Sequence, residues 1–159
     1  MKKVMFIAST GGHLSELLQL SPLFSKYDYT IVTEKTKSNL NLKNKYPHRV
    51  HFIISGTYTN LKAKLLYPFK LLLNCFISLY LMLKIRPDVV VTTGSHNAGP
   101  MCCLAKIFHK KVIFIETIAN STTPTRAGHL IYKFADYFIV QWESMLKVYP
   151  KAIYGGWIY

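Results

Sequence analysis

The sequence predicts an α/β fold: a single Rossmann-like domain with a parallel sheet, spanning residues 1–159. Three observations carry that prediction. Short apolar runs of strand length recur along the chain and alternate with segments of helical apolar spacing. The clearest runs, KVMFIAS and DVVVT, are almost continuously apolar, as strands buried on both faces are. The segments that follow the first, fourth and fifth runs are rich in Gly, Ser, Thr, Asn, His or Glu, and open parallel sheets bind ligands beyond the carboxyl ends of their strands.

Lys3 to Ser9 forms the first strand, and Leu14, Leu17, Leu18 and Leu20 then take helical spacing. The basic start Met1-Lys2-Lys3 is not read as a secretory signal, because the apolar run is short and Gly11-Gly12-His13 follows at once. Tyr29 to Thr33 gives a second strand. Lys35 to Lys45, polar and lysine-rich, reads as a solvated loop or short helix. Val50 to Ile54 is the third strand. A long helix is predicted from about Asn60 to Ile85, ended by Arg86-Pro87. Asp88 to Thr92 is the fourth strand, and Ala98 to Phe108 a helix with Pro100 in its first turn. Val112 to Ile115, a helix over Ala127 to Ala135, and a strand over Tyr137 to Gln141 complete the alternation. Ala152 to Tyr159, rich in aromatics, is either a last strand or a docking segment for a partner.

Composition narrows the partners. Lys and Arg outnumber Asp and Glu by 20 to 7, a net charge of +13, so an anionic partner is expected: nucleic acid, phosphate ligands or anionic lipid. No zinc-ligand spacing, RNA-recognition signature or helix-turn-helix pattern is present, which argues against nucleic acid. The stretch from Lys62 to Lys84 instead interleaves positive charge with apolar residues. Its longest charge-free run, Leu71 to Leu83, is shorter than the ~20 residues a bilayer span requires, and Asn74 interrupts it. An interfacial helix is therefore expected, with Lys62, Lys64, Lys70 and Lys84 reaching head groups and Tyr67, Phe69 and leucines entering the boundary, while another face covers the sheet. Cys75, Cys102 and Cys103 lie in apolar sequence with no CxxC pair and read as buried thiols of a reducing cytoplasm.

Three loops carry the candidate chemistry. Gly11 and Gly12 open a strand-to-helix turn whose backbone N–H groups suit a phosphate or pyrophosphate, and His13 at the helix start is a phosphate ligand, a base or a cap. No GxGxxG is present, so a nicotinamide dinucleotide is not expected; Ser15 and Glu16 stand near the place of a third glycine, and Glu34 reads as a surface acid beside Lys35 and Lys37. Thr93, Gly94, Ser95, His96 and Asn97 repeat the strand–polar turn–helix arrangement and offer hydroxyls and amides to a polar ligand. Glu116 directly follows the apolar run VIFI, where a carboxylate is costly unless solvated, paired or used; it either accepts a proton from, or holds, a sugar hydroxyl, or pairs with Arg126 or a lysine. No metal or other cofactor is expected.

Together these loops resemble sugar transferases of the two-domain GT-B type. The matching residues are Gly11-Gly12-His13, Thr93 to Pro100, Glu116-Thr117 and Thr125 to Trp142, including Ala135-Asp136 and Val140-Gln141-Trp142. The whole chain is most similar to the stand-alone N-terminal half: the membrane-recruiting subunit of the two-subunit UDP-N-acetylglucosamine transferase of dolichol-linked oligosaccharide assembly, and its bacterial capsule and exopolysaccharide counterparts. The lipid II-forming transferase of peptidoglycan synthesis shares the loop plan. The resemblance implies an acceptor-binding subunit for a polyprenyl-diphosphate-linked saccharide, working peripherally at the cytoplasmic face of the cell membrane. A separate chain is expected to bring the UDP-sugar. Gly11, Gly12 and His13 would face the acceptor's pyrophosphate, the Gly94–Asn97 loop and Glu116 would contact the acceptor, and no metal would be required. Many eukaryotic relatives begin with a membrane anchor that this sequence lacks, so attachment is expected to rest on the basic apolar helix and the partner. The alternative is a scaffold that only anchors and activates its catalytic partner.

Overall fold

The computed structural model describes residues 1–56, 65–94 and 96–159. Strands β1 (Lys3–Ala8), β2 (Asp28–Glu34), β3 (Val50–Ile53), β4 (Val89–Thr92), β5 (Lys111–Ile115), β6 (Tyr137–Val140) and β7 (Ile153–Tyr154) form one sheet. Its order is β3-β2-β1-β4-β5-β6-β7, and every neighbouring pair is parallel. Among the described residues, five α-helices connect these strands: α1 (Gly12–Gln19), α2 (Leu42–Lys45), α3 (Tyr67–Ile85), α4 (Gly99–Ile107) and α5 (Arg126–Ile131). The strand order reverses at β1, whose Ile7 pairs with Thr92 of β4. The carboxyl ends of β1 and β4 therefore flank the topological switch point, where such sheets leave a crevice.

Strand alternation divides the core into two layers. Met5, Ile7, Val90, Val112, Phe114, Phe138 and Val140 face α3, α4 and α5, whereas Val4, Phe6, Ala8, Val91 and Ile115 pack with α1. Burying both faces is why these runs read as continuously apolar.

The predicted strands are present within a residue or two. The lysine-rich segment forms a short turn, Lys37–Asn39, and then α2. Helix α5 stops at Ile131, four residues earlier than expected, and the chain's end supplies β7. Residues 60–64 of the expected long helix, with Lys62 and Lys64, lie outside the described residues. What is described, α3, is 19 residues long, and by length and composition it is apolar enough to cross a membrane. The charge-free run had suggested it was too short, but Lys70 and Lys84 are too few to break the apolar character of the helix. Two faces distinguish it. Asn74, Ser78, Leu81 and Met82 are buried, and Asn74 ties the helix to the end of β3: its Oδ1 accepts from Ile54 N–H at 2.8 Å and its Nδ2 donates to Ile54 O at 2.9 Å. The opposite face leaves Phe69, Leu72, Leu73, Phe76, Tyr80 and Leu83 exposed. The expectation of three buried cysteines holds only for Cys102; Cys75 is half-buried and Cys103 exposed, because helical rotation carries neighbours to different faces.

Candidate functional site

Gly11 has φ +82°, a conformation open to glycine, and ends the turn that starts α1. No side chain caps this helix, and added Cβ atoms at Gly11 and Gly12 would meet nothing within 4 Å. The start of α1 thus has no side-chain cap and leaves room beside both glycines, at the positive end of the helix dipole. His13 is clamped across the switch point. Its Nδ1 lies 2.8 Å from Thr93 O, and Thr93 Oγ1 donates to His13 O at 2.6 Å. A carbonyl oxygen only accepts, so Nδ1 carries the hydrogen, and Nε2 is the ring nitrogen left to accept a proton in the corresponding neutral tautomer. Gly94 makes the clamp possible: its φ is +107°, and a Cβ there would stand 3.1 Å from His13 Cε1 and 3.2 Å from Nδ1. Ser95 lies outside the described residues, and His96 begins the short turn His96–Ala98 that leads into α4.

The two carboxylates nearest this edge have different tasks. Glu16, one turn after His13, is buried. Its Oε1 accepts from Thr117 Oγ1 at 2.6 Å and Ile118 N–H at 3.1 Å, joining α1 to the loop after β5. Its Oε2 lies 3.8 Å from His13 Nδ1 and has no hydrogen-bond partner. Sequence reasoning treated Glu16 only as an obstacle to a glycine motif; its i,i+3 spacing from His13 was the signal that could have found it.

Glu116 also stands at the carboxyl edge but on the other face. It is 1% exposed. Its carboxylate accepts from Thr125 Oγ1 (2.9 and 3.1 Å), Thr117 N–H (3.1 Å) and Tyr149 O–H (3.2 Å). A side chain at Gly128, in α5, would overlap Oε2. Burial pushes the Glu116 carboxyl up from its ordinary range, while the hydrogen bonds from Thr125, Thr117 and Tyr149 pull it back. Arg126 is not among its hydrogen-bonding partners. His13 and Glu116 are therefore held at the same end of the sheet but do not meet. Glu116 follows Phe114 in the strand alternation and packs with Tyr149 and α5, whereas α1 lies on the opposite face.

Glu34 corrects another expectation. It is no surface acid but 3% exposed at the end of β2, accepting from Asn97 Nδ2 at 2.6 Å and Ser55 Oγ at 2.8 Å. It anchors the loop after β4 by way of Asn97, whose Oδ1 is buried and unpartnered. Asn97 was singled out from sequence and Glu34 was not, although a strand-terminal acid invites the argument made for Glu116. Tyr67, Phe69 and Lys70 lie in the first turn of α3. Among the described residues, no group of three or more His, Cys, Asp or Glu side chains is placed to hold a metal ion.

A family model described as "Oligosaccharide biosynthesis protein Alg14 like" matches residues 4–158. The human protein named UDP-N-acetylglucosamine transferase subunit ALG14 is 28% identical over 175 residues, covering 96% of this chain and 81% of its own. A Nitrosospira multiformis protein named UDP-N-acetylglucosamine--N-acetylmuramyl-(pentapeptide) pyrophosphoryl-undecaprenol N-acetylglucosamine transferase is 26% identical over 157 residues, covering 96% of this chain but 43% of that one. Among solved structures, Acinetobacter baumannii MurG superposes with a TM-score of 0.73 at 21% identity, over 91% of this chain and 43% of that one. The UDP-GlcNAc 2-epimerase of Methanocaldococcus jannaschii gives 0.66 at 16% identity, over 91% and 41%. The chain thus spans less than half the length of these solved structures, and the likeness to them is one of fold: the Rossmann-like N-terminal half of the GT-B architecture.

Proposed function

Because the chain belongs to the Alg14-like family of oligosaccharide biosynthesis proteins, we propose that it is the acceptor-binding, membrane-recruiting subunit of a heteromeric glycosyltransferase. The reaction moves a sugar from a UDP-sugar, brought by a separate donor-binding subunit, to a polyprenyl-diphosphate-linked saccharide. We place it in capsule or exopolysaccharide synthesis; the eukaryotic relatives are named as UDP-N-acetylglucosamine transferase subunits. One observation carries the reading: the clamp between His13 and Thr93 that fixes the imidazole at the switch point, beside the uncapped start of α1.

Each residue then has a task. The first-turn N–H groups at Gly12 and His13 hold the acceptor's pyrophosphate, which the helix dipole and the two open glycines favour. The loop Gly94, Ser95, His96 and Asn97 is assigned to the acceptor saccharide, as the resemblance implies, with Thr93 fixing the His13 ring. As the acceptor hydroxyl oxygen bonds to the anomeric carbon, its proton passes to His13 Nε2. The bond from that carbon to the UDP oxygen breaks, and UDP departs with inversion. The imidazolium formed has the Glu16 carboxylate 3.8 Å away to balance its charge. Positioning supplies most of the acceleration. Glu116 acts at one remove, as a positioning residue that holds the loop from Thr117 to Thr125.

Membrane attachment rests on the exposed apolar face of α3 with Tyr67, Phe69 and Lys70 at the cytoplasmic membrane surface; the sequence expectation adds Lys62 and Lys64, which lie outside the described residues. A peripheral seat fits better than a span. Leaving the sheet would break the Asn74–Ile54 pair and uncover the core under Leu81 and Met82.

Reconstitution tests the whole reading. Transfer from a UDP-sugar is assayed with this chain alone, the partner alone and both. His13→Ala is expected to lower kcat by about 10²–10⁴-fold while partner binding persists. Transfer by this chain alone overturns the half-enzyme reading, and unchanged turnover in His13→Ala reduces the chain to a scaffold.

A further inference from the structure

A cavity of about 580 Å³ opens at the amino end of the edge strand β3, at the opposite end of the sheet from the crevice. Lys43 of α2, His48 in the turn before β3, His51 of β3 and Lys84 in the last turn of α3 line it, with Pro47 and Val50. Four basic residues from four segments of the chain contribute to this lining, and among the described residues no carboxylate does. The ammonium groups rest on aromatic faces instead: Lys43 Nζ is 5.2 Å from the centre of the Phe52 ring and Lys84 Nζ 5.4 Å from that of Tyr80. His48 is held at φ +61°, an uncommon conformation for a residue with a side chain. Burial together with the positive charges of Lys84 and Lys43 holds the His51 imidazole below its ordinary range, so the like charges are close enough to feel one another. Like charges gathered without a counter-charge are unfavourable until an anion joins them.

We infer that this cavity is a phosphate-binding site, in which Lys43, Lys84, His48 and His51 donate to the oxygens of a phosphate ester or free phosphate. The geometry favours a lipid phosphate as the source. Lys84 follows Leu83 and lies beside Tyr80, so the cavity sits where the exposed apolar stripe of α3 ends, and a lipid with its tails against the stripe would bring its phosphate here. That arm rests on the membrane reading of α3; the free-phosphate arm does not.

The test uses the purified chain in complex with its partner and vesicles of phosphatidylcholine with and without phosphatidic acid. The pocket variant is Lys43→Ser/Lys84→Ser, at two exposed positions. The charge-matched control is Lys147→Ser/Lys151→Ser, beside β7 at the other edge of the sheet. Binding to neutral vesicles reports the apolar stripe alone and is expected to be equal in all three proteins; its absence from wild type counts against the membrane reading and not against the pocket. The gain from phosphatidic acid is expected to fall about 30-fold in the pocket variant, roughly fivefold per lysine, and far less in the control. In parallel, inorganic phosphate is titrated against the ring-proton resonances of His48 and His51. Shifts seen in wild type and lost in the pocket variant support the site, with free phosphate as the source if vesicle binding is unaffected. Equal losses in both double variants and unmoved histidine resonances overturn the proposal.

Discussion

Replacing Glu116 by alanine separates a structural carboxylate from a chemical one. The substitution strands Thr117 N–H, the Thr125 hydroxyl and the Tyr149 hydroxyl, which now donate to it at 2.9–3.2 Å. A buried donor left without an acceptor costs about 1–3 kcal/mol. Three at the low end give about 3 kcal/mol, moderated because removing a buried carboxylate also removes its desolvation cost. For a chain of this size 1 kcal/mol moves the melting point by about 2–4 °C, so Glu116→Ala is expected to melt about 6–12 °C lower. A pH signature accompanies this. A carboxyl whose folded pKa is raised favours the folded state when protonated, so its contribution fades as pH rises from the ordinary carboxylate value through the raised one. The alanine variant lacks that decline. Thermal unfolding followed by circular dichroism, with transfer assayed alongside the partner below the melting point, reads both effects. Turnover per folded molecule is expected to stay within about tenfold of wild type if, as proposed, Glu116 only positions its loop. An unchanged melting point with turnover down by more than about 100-fold would refute the reasoning and put the carboxylate in the chemistry.

Gly94→Ala combines an unfavourable φ with a Cβ against the His13 ring, so about 1–3 kcal/mol of stability is lost and the Nδ1–Thr93 clamp is displaced. Its kcat is expected to fall with little change in KM, and unaltered kinetics would remove the clamp from the mechanism. At Asp136 burial alone would raise the carboxyl, but donation from Lys106, Val112 N–H and Lys111 outweighs it and holds the group at about 2. The folded pKa is below the ordinary 3.8, so this stability is present above pH ~3.8 and lost as pH falls toward 2. It amounts to about 1–2 kcal/mol once the solvent exposure of Lys111 is allowed for, and urea titrations of Asp136→Asn at low pH should lack that acid limb. Phe69→Ser/Phe76→Ser removes side chains that are 66% and 62% exposed, so the melting point should hold while neutral-vesicle binding drops by at least about 100-fold. Retained binding would place membrane contact elsewhere.

The sequence by itself determined the parallel α/β fold, the loops that meet at the carboxyl edge, and the two-natured helix. Continuous apolar runs, helical spacing and glycines at strand ends are local properties, readable without knowing which segments are neighbours. VMFIA, after the exposed Lys3, is apolar throughout because both of its faces are covered, and Gly11 marks a turn with positive φ. Only the tertiary structure decided which polar residues share a face. Glu116 and Glu34 both end apolar strands, yet one packs under α5 and the other holds Asn97 across the sheet. Glu16, rather than Glu116, stands beside His13. Likewise Lys43 and Lys84, 41 residues apart in a lysine-rich sequence, line one cavity only because α3 ends where β3 begins. Side chains alternate from face to face along a strand, and the strand order is set by crossovers, so the partner of any buried charge depends on long-range pairing that no local pattern encodes.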